Sequence, residues 1–259
     1  MRTAGRRILV KACLNGGRRR AEHEAVPLTA HELAQDAAAA VAAGAAALHV
    51  HPRGADGAET LDAANCGTAI TAIRAACPGV PVGLSTGAWM APDPGVRAGL
   101  IESWTVLPDY ASVNFSEAGA AGVCAVLLRR GIGIEAGLWS VDDVGTFVAS
   151  DLAAWCLRVL VEVPPPDPEQ AVAAAAAIDA GLDRAEIWLP RLHHGDGVAT
   201  WAVLDAAVNL GRDIRVGLED TLRLPDGAPA RDNAALVAAA VQLVRRHGHQ
   251  PATVSWASR

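Results

Sequence analysis

Eight short aliphatic or β-branched runs alternate with eight Ala-rich helical stretches along a chain of 259 residues. That alternation and that length predict an α/β fold of the (β/α)8 TIM-barrel type, a single domain over residues 1–259. A doubly wound open sheet is the other architecture the alternation allows. Hydrophobic residues make up 51% of the chain, ample for a core, which excludes a disordered polypeptide.

The strands are expected at 8–14, 46–51, 81–85, 110–114, 132–136, 157–163, 185–190 and 213–218. The helices are expected at 29–43, 62–77, 93–103, 117–130, 140–151, 168–180, 197–210 and 231–247. Thr29 with Glu32 three residues later forms a capping box that starts the first helix, and Gly44 can take the left-handed turn after it. Pro78-Gly79 ends the second helix. The run Pro164-Pro165-Pro166 reads as a stiff strand-to-helix loop, because the next helix follows at once.

The formal net charge of −6 argues against a nucleic-acid surface, which wants clustered positive charge. The Ala-rich runs are too short to cross a bilayer, which takes about 20 residues, and the amino-terminal stretch does not read as a signal peptide. The five cysteines form no CxxC pair and are odd in number, so neither a disulfide framework nor a thiolate metal site is expected. A soluble, cytoplasmic protein in a reducing setting is the expectation. Lys11 is the only lysine, so Schiff-base chemistry has one candidate.

Alternate residues of a barrel strand face the interior and the helix layer. If the apolar set faces the helices, Lys11, Cys13 and Asn15 point inward from the first strand. His49 and His51 point inward from the second, Gly83 and Ser85 from the third, Ser112 and Asn114 from the fourth. Gly133 and Glu135 follow from the fifth, and Arg215, Gly217 and Glu219 from the eighth. These polar residues gather at the carboxyl ends of the strands, where barrel enzymes place their chemistry.

His49 and His51 at i, i+2 on one strand project from one face with Cα atoms roughly 6.5–7 Å apart, a spacing that lets two imidazoles share an ion. Strand eight neighbours strand one in a closed barrel, so Glu219 can reach the same ion. Two imidazoles and a carboxylate with open positions make a Lewis-acid site. Glu219 could instead serve a helix dipole, and Asp220 could cap the following turn rather than handle a proton.

Arg215 can bind a carboxylate or a thioester carbonyl oxygen, or be tied up with Glu135 or Glu219. Glu135 is flanked by small residues that leave room for a ligand, although pairing with Arg215 is an equal reading. Ser85, Thr86 and Gly87 offer hydroxyls and amides to an anion, or cap a helix. Asn15, Thr86, Gly87 and Asn114 are the expected substrate-binding residues. His193-His194-Gly195 reads as a loop after strand seven, its histidines diverging too far for joint metal binding.

The motifs HVHPR at 49–53, STG at 85–87, SVN at 112–114, IEAG at 134–137 and RVGLED at 215–220 resemble the β-keto acid cleavage enzyme family. The resemblance implies a (β/α)8 barrel, an oligomer, often a tetramer, and a divalent ion, usually zinc, on His49, His51 and Glu219. It implies a reversible Claisen reaction in which a β-keto acid and acetyl-CoA give acetoacetate and a new acyl-CoA. Asp220 with Ser85 then manages the proton of the carbon between the two carbonyls, and Arg215 stabilises the oxyanion. The chain departs from the family pattern at Cys13-Leu14-Asn15-Gly16-Gly17-Arg18, where many members carry Thr-Gly and an acidic residue.

Other readings make different predictions. A Lys11 aldolase is trapped by borohydride, a sensor barrel binds without turnover, and a metal-dependent hydrolase or C–C lyase needs no CoA.

Overall fold

The computed structural model describes residues 5–164 and 167–254. Eight parallel strands close into a barrel: β2 (Val10–Cys13), β3 (Ala47–Val50), β4 (Val82–Ser85), β5 (Tyr110–Asn114), β6 (Gly133–Leu138), β7 (Arg158–Val163), β8 (Arg191–Gly195) and β9 (Asp213–Val216). The helices α1 (Ala30–Ala42), α2 (Ala63–Ala76), α3 (Pro94–Glu102), α4 (Ala120–Arg129), α5 (Val141–Ala149), α6 (Pro168–Arg184), α7 (Thr200–Asn209) and α8 (Asn233–Arg246) connect them. Thus the closed (β/α)8 barrel replaces the open-sheet alternative.

Beneath the barrel, β1 (Arg7–Ile8) pairs in parallel with β10 (Gln250–Pro251), so the expected first strand is broken at Leu9. Leu9 instead turns into the barrel floor with Ala46, Ala47, Tyr110, Leu160, Leu192 and Ala252. Val10, Ala12, Leu14, Leu48 and Val50 face the helices, as the alternation predicts. Local signals set the helix starts: Thr29 and Glu32 form the capping box, and Asp62, Asp93, Asp167 and Asp232 cap α2, α3, α6 and α8.

Two boundaries differ from expectation. Helix α6 runs on to Arg184 and closes through Glu186, whose φ of 56° is left-handed. The run 185–190 is therefore a crossing, with Trp188 exposed, and the strand is β8, residues Arg191–Gly195. Polarity disguised it. Arg191 bonds to the Asp179 carboxylate and backbone oxygen at 3.0 and 3.1 Å, and His193 stands 3.5 Å from the same carboxylate, both between β8 and α6. Strand β6 also extends to Leu138, which brings Gly137 into the wall of the barrel. The Pro164 run is described only at Pro164; 165 and 166 lie outside the described residues. Among the described residues no helix is long and apolar enough to cross a membrane.

Candidate functional site

A pocket of about 280 Å³ opens at the carboxyl ends of the strands, lined on one side by His49, His51, Ser85, Arg215, Glu219 and Asp220. The Nε2 atoms of His49 and His51 face each other at 3.0 Å, and Glu219 presents Oε2 at 3.8 Å from His49 Nε2 and Oε1 at 3.6 Å from His51 Nε2. The ligand atoms of this trio all lie within 4.8 Å of one another. Glu219 Oε2 is buried with no hydrogen-bond partner among the described residues. A buried, unpaired carboxylate oxygen is costly, and a cation between it and two imidazole nitrogens removes that cost. The residues fit a divalent ion.

The backbone explains why Glu219 arrives here. It lies in the turn after β9 rather than on the strand. At Gly217 a Cβ would lie 1.8 Å from the Cys13 carbonyl oxygen, so only glycine lets the β9 turn press against the end of β2. Asn233 locks that seam: its side chain accepts from the Leu218 amide at 2.7 Å and donates to the Leu14 carbonyl at 2.8 Å.

His51 is steered from outside. Its Nδ1 meets Glu59 Oε1 in a very short contact, which leaves Nε2 for an ion. Trp89 stacks on the ring with centroids 6.2 Å apart. Burial lowers the affinity of both histidines for a proton. For His49 that effect wins, and its pKa falls well below the usual value. For His51 the carboxylates of Glu219 and Glu59 outweigh burial and lift it to about 9. Burial alone would raise the Glu219 carboxyl, but Arg215 and the two imidazoles hold it well below the usual range.

Arg215 resolves into a bridge: Nη2 lies 2.7 Å from Glu219 Oε1 and 2.6 Å from Asp220 Oδ1, with Nε 3.1 Å from the latter. Asp220 Oδ2 has no partner among the described residues. Burial pushes the Asp220 carboxyl up despite the pull of Arg215. A carboxylate with one fixed oxygen, one free oxygen and a raised pKa has the properties of a general base.

The structure disperses other expected residues. Glu135 is fully buried on the floor, where Oε2 meets Lys11 Nζ at 2.6 Å and Oε1 lies 3.3 Å from Arg158 Nε; it does not line the pocket and does not pair with Arg215. Lys11 is buried in that ion pair beneath the reacting layer. Asn15 braces the loop: its amide donates to the His51 and Pro27 carbonyls at 2.8 and 3.1 Å, and its oxygen accepts from the His51 amide at 2.9 Å. Thr86 donates to the Ser112 carbonyl at 2.6 Å, away from the pocket. Gly87 serves Trp89, whose ring would lie 2.1 Å from a Cβ there. Asn114 does line the pocket.

Glu162 and His194 line the pocket; Glu162 escaped the sequence reading, and His194, expected in a loop, stands on β8. His194 Nδ1 lies 3.5 Å from Asp220 Oδ1 and its Nε2 lies 3.4 Å from Glu162 Oε2. The signal that could have found them was period two: Leu160 and Leu192 face the floor, so Glu162 and His194 share that inward parity.

Comparisons agree with this geometry. The chain is 24% identical over 278 residues to the 3-keto-5-aminohexanoate cleavage enzyme of Fusobacterium nucleatum subsp. nucleatum, covering 95% of this chain and 94% of that one. Among solved structures, ObcA in its apo form superposes with a TM-score of 0.73 at 16% identity, covering 90% of this chain, which spans 64% of ObcA's length. ObcA has also been solved in a ternary complex with a C4-CoA adduct and oxalate, with a TM-score of 0.72, 16% identity, and coverage of 90% and 66%. The 3-dehydroquinate dehydratase of Geobacillus kaustophilus HTA426 follows with a TM-score of 0.57 at 12% identity over 91% of each chain. At those identities the structures attest the barrel alone. The sequence profile of the beta-keto acid cleavage enzymes matches residues 7–259, and the chain belongs to that family.

Proposed function

We propose that this chain is a metal-dependent acyltransferase that condenses a β-keto acid with acetyl-CoA to give acetoacetate and a new acyl-CoA. The observation that carries the reading is the convergence of His49, His51 and Glu219 beside an Arg215–Asp220 pair with one free carboxylate oxygen. The family match and the CoA adduct seen in ObcA support it.

His49, His51 and Glu219 would hold the ion, and zinc suits two imidazoles and a carboxylate. When bound, it supplies Lewis-acid polarisation of the substrate's keto oxygen and carboxylate. The chain's own groups do the rest. Asp220 Oδ2 accepts the proton from the carbon between the two carbonyls. That carbon then attacks the thioester carbonyl, and the guanidinium of Arg215 faces the oxyanion. Arg215 spends Nε and Nη2 on Asp220 and Glu219, while its Nη1 makes no hydrogen bond among the described residues. The Ser85 hydroxyl, on the same side of the pocket, assists Asp220 in managing that proton. The CoA thiolate leaves and then adds to the keto carbon of the original acid. The bond from that keto carbon to the acylated carbon breaks, the departing carbanion takes back the proton held by Asp220, and acetoacetate and the new thioester are released.

Metal-replete protein, a panel of β-keto acids and acetyl-CoA test this directly. Acetoacetate should form only when both substrates are present. Turnover of the keto acid without CoA, or full activity in His49→Ala, would overturn the proposal. The five buried free thiols fit a reducing compartment.

A further inference from the structure

Asp220 has a second polar neighbour, on β8. Strands β7 and β8 pair with Glu162 opposite His194, so the two inward side chains stand side by side in the wall of the pocket. His194 Nε2 lies 3.4 Å from Glu162 Oε2, and its Nδ1 lies 3.5 Å from Asp220 Oδ1. Both ring nitrogens are buried, and neither has a hydrogen bond among the described residues. The imidazole thus stands between two carboxylates, a few tenths of an ångström beyond ordinary hydrogen-bond distance from each. The turn after β8 also holds the Asp220 backbone: the Gly197 amide donates to the Asp220 carbonyl at 2.8 Å, and the Thr200 hydroxyl donates to it at 3.4 Å.

The donors around the Asp220 carboxylate are unevenly placed. Arg215 brings Nε to 3.1 Å and Nη2 to 2.6 Å from Oδ1, and His194 Nδ1 approaches the same oxygen. Oδ2 has no partner among the described residues. Both arginine bonds come from one planar group, which Glu219 also draws on through Nη2. A carboxylate anchored at one oxygen by a single group can still rotate about that anchor. A second donor from a different strand removes the rotation and gives Oδ2 one direction, into the pocket. Carboxylates only accept, so the ring nitrogens of His194 are the donors on both sides. Burial alone would raise the Glu162 carboxyl, but His194 holds it below the usual range, and it stays an acceptor that fixes the angle of the ring.

Resting on the reading of Asp220 as the base, we propose that His194 is its positioning residue: Glu162 aims the imidazole, and the Nδ1–H of His194 secures Asp220 Oδ1, so that Oδ2 stays turned toward the carbon that loses its proton. Neither His194 nor Glu162 takes up that proton in this role. They act by holding the acceptor at one angle, and a small misplacement of a reacting group is enough to slow a step many-fold. The pair therefore governs the rate of proton removal, while the metal ligands and Arg215 keep their own tasks.

The test uses zinc-loaded full-length protein and acetoacetate, which is a product of the proposed reaction whatever the starting acid. Exchange of its C2 protons for deuterium in D2O, without acetyl-CoA and above the rate without protein, is followed by proton NMR. His194→Leu should slow exchange at saturation by about 10–100-fold, the range of one charge-assisted hydrogen bond. Zinc content and the half-saturating acetoacetate concentration should stay within about twofold of the parent, since neither depends on the angle of Oδ2. His194→Asn places an amide N–H where Nδ1–H stood and should restore the rate to within about threefold. Glu162→Gln still accepts from Nε2–H and should also stay within about threefold, whereas Glu162→Leu, one contact further from the base, should slow exchange about 3–10-fold. Parent-like exchange in zinc-loaded His194→Leu, or equal losses in the Leu and Asn variants, would overturn the positioning role. If His194→Leu does not fold, equal rates in Glu162→Gln and Glu162→Leu would overturn it. No exchange by the parent protein would overturn this role together with Asp220 as base. Exchange that depends on His194, with no acetoacetate formed from any β-keto acid and acetyl-CoA, would sink the acyltransferase reading alone. Acyl transfer by the parent with exchange indifferent to His194 would sink the positioning role alone.

Discussion

The barrel holds two buried polar clusters that differ in one respect. On the floor, Lys11, Glu135 and Arg158 pair among themselves, and Lys11 Nζ lies 5.6 Å from the centre of the Tyr110 ring. At the carboxyl end, His49, His51 and Asp220 are buried and Glu219 nearly so. Glu135 Oε1 on the floor makes no hydrogen bond but has the Arg158 guanidinium 3.3 Å away, whereas among the described residues neither Glu219 Oε2 nor Asp220 Oδ2 has a hydrogen bond or an arginine or lysine paired to it. Opposite charges close the floor. The upper cluster keeps unspent ligand and acceptor atoms, and chemistry belongs where that valency is left over. Inward parity alone does not separate the two, because Glu135 and Glu219 share it.

Substitutions sharpen this contrast, and the largest effects belong to the open cluster. Asp220→Asn should keep the metal while kcat falls by about 10²–10⁴-fold, the usual worth of a positioned base, in an acetoacetate-release assay. On the floor, Glu135→Gln should instead show its cost in stability. It leaves Lys11 and Arg158 without their carboxylate, so denaturant unfolding should show a loss of about 3–5 kcal/mol with metal content unchanged. A mutant that loses metal and not stability would erase the distinction drawn here.

Smaller effects come from the residues that hold the open cluster in place. Glu59→Gln removes the carboxylate behind His51 Nδ1, and metal affinity measured by competition with a chelator should drop about 10–100-fold. Asp36 accepts from Asn233 at 2.6 Å beside the β2–β9 seam, and burial pushes its carboxyl up to about 7. The folded protein therefore holds a proton that the unfolded chain releases near pH 4, and stability contributed at low pH is lost as pH rises toward 7. Asp36→Asn should accordingly be more stable than the parent at pH 8, by about 1–2 kcal/mol, with the difference fading toward pH 4 in thermal melts.

Much of this was legible in the sequence because periodicity and topology act at short range or through fixed strand order. His49 lies on β3 and His51 directly after it, and Glu219 follows a strand two places away around the ring. What escaped depends on loop paths or on a disguised strand. Glu59 reaches His51 through the loop between β3 and α2, and no spacing rule specifies that path. His194 was hidden because Arg191 and His193 make β8 look like a polar loop, while Ile187-Trp188-Leu189 imitates a strand. Asn15 and Thr86 have the inward or polar character of ligand-binding residues, but backbone carbonyls absorb their hydrogen bonds.

The central claim is that His49, His51 and Glu219 hold one ion together. Calorimetric titration of metal-free protein with Zn²⁺ tests it most directly. The account predicts one site per chain, lost in His49→Ala and weakened by at least about 100-fold in Glu219→Gln, with both variants folded. Stoichiometric binding of undiminished affinity in either variant would contradict it.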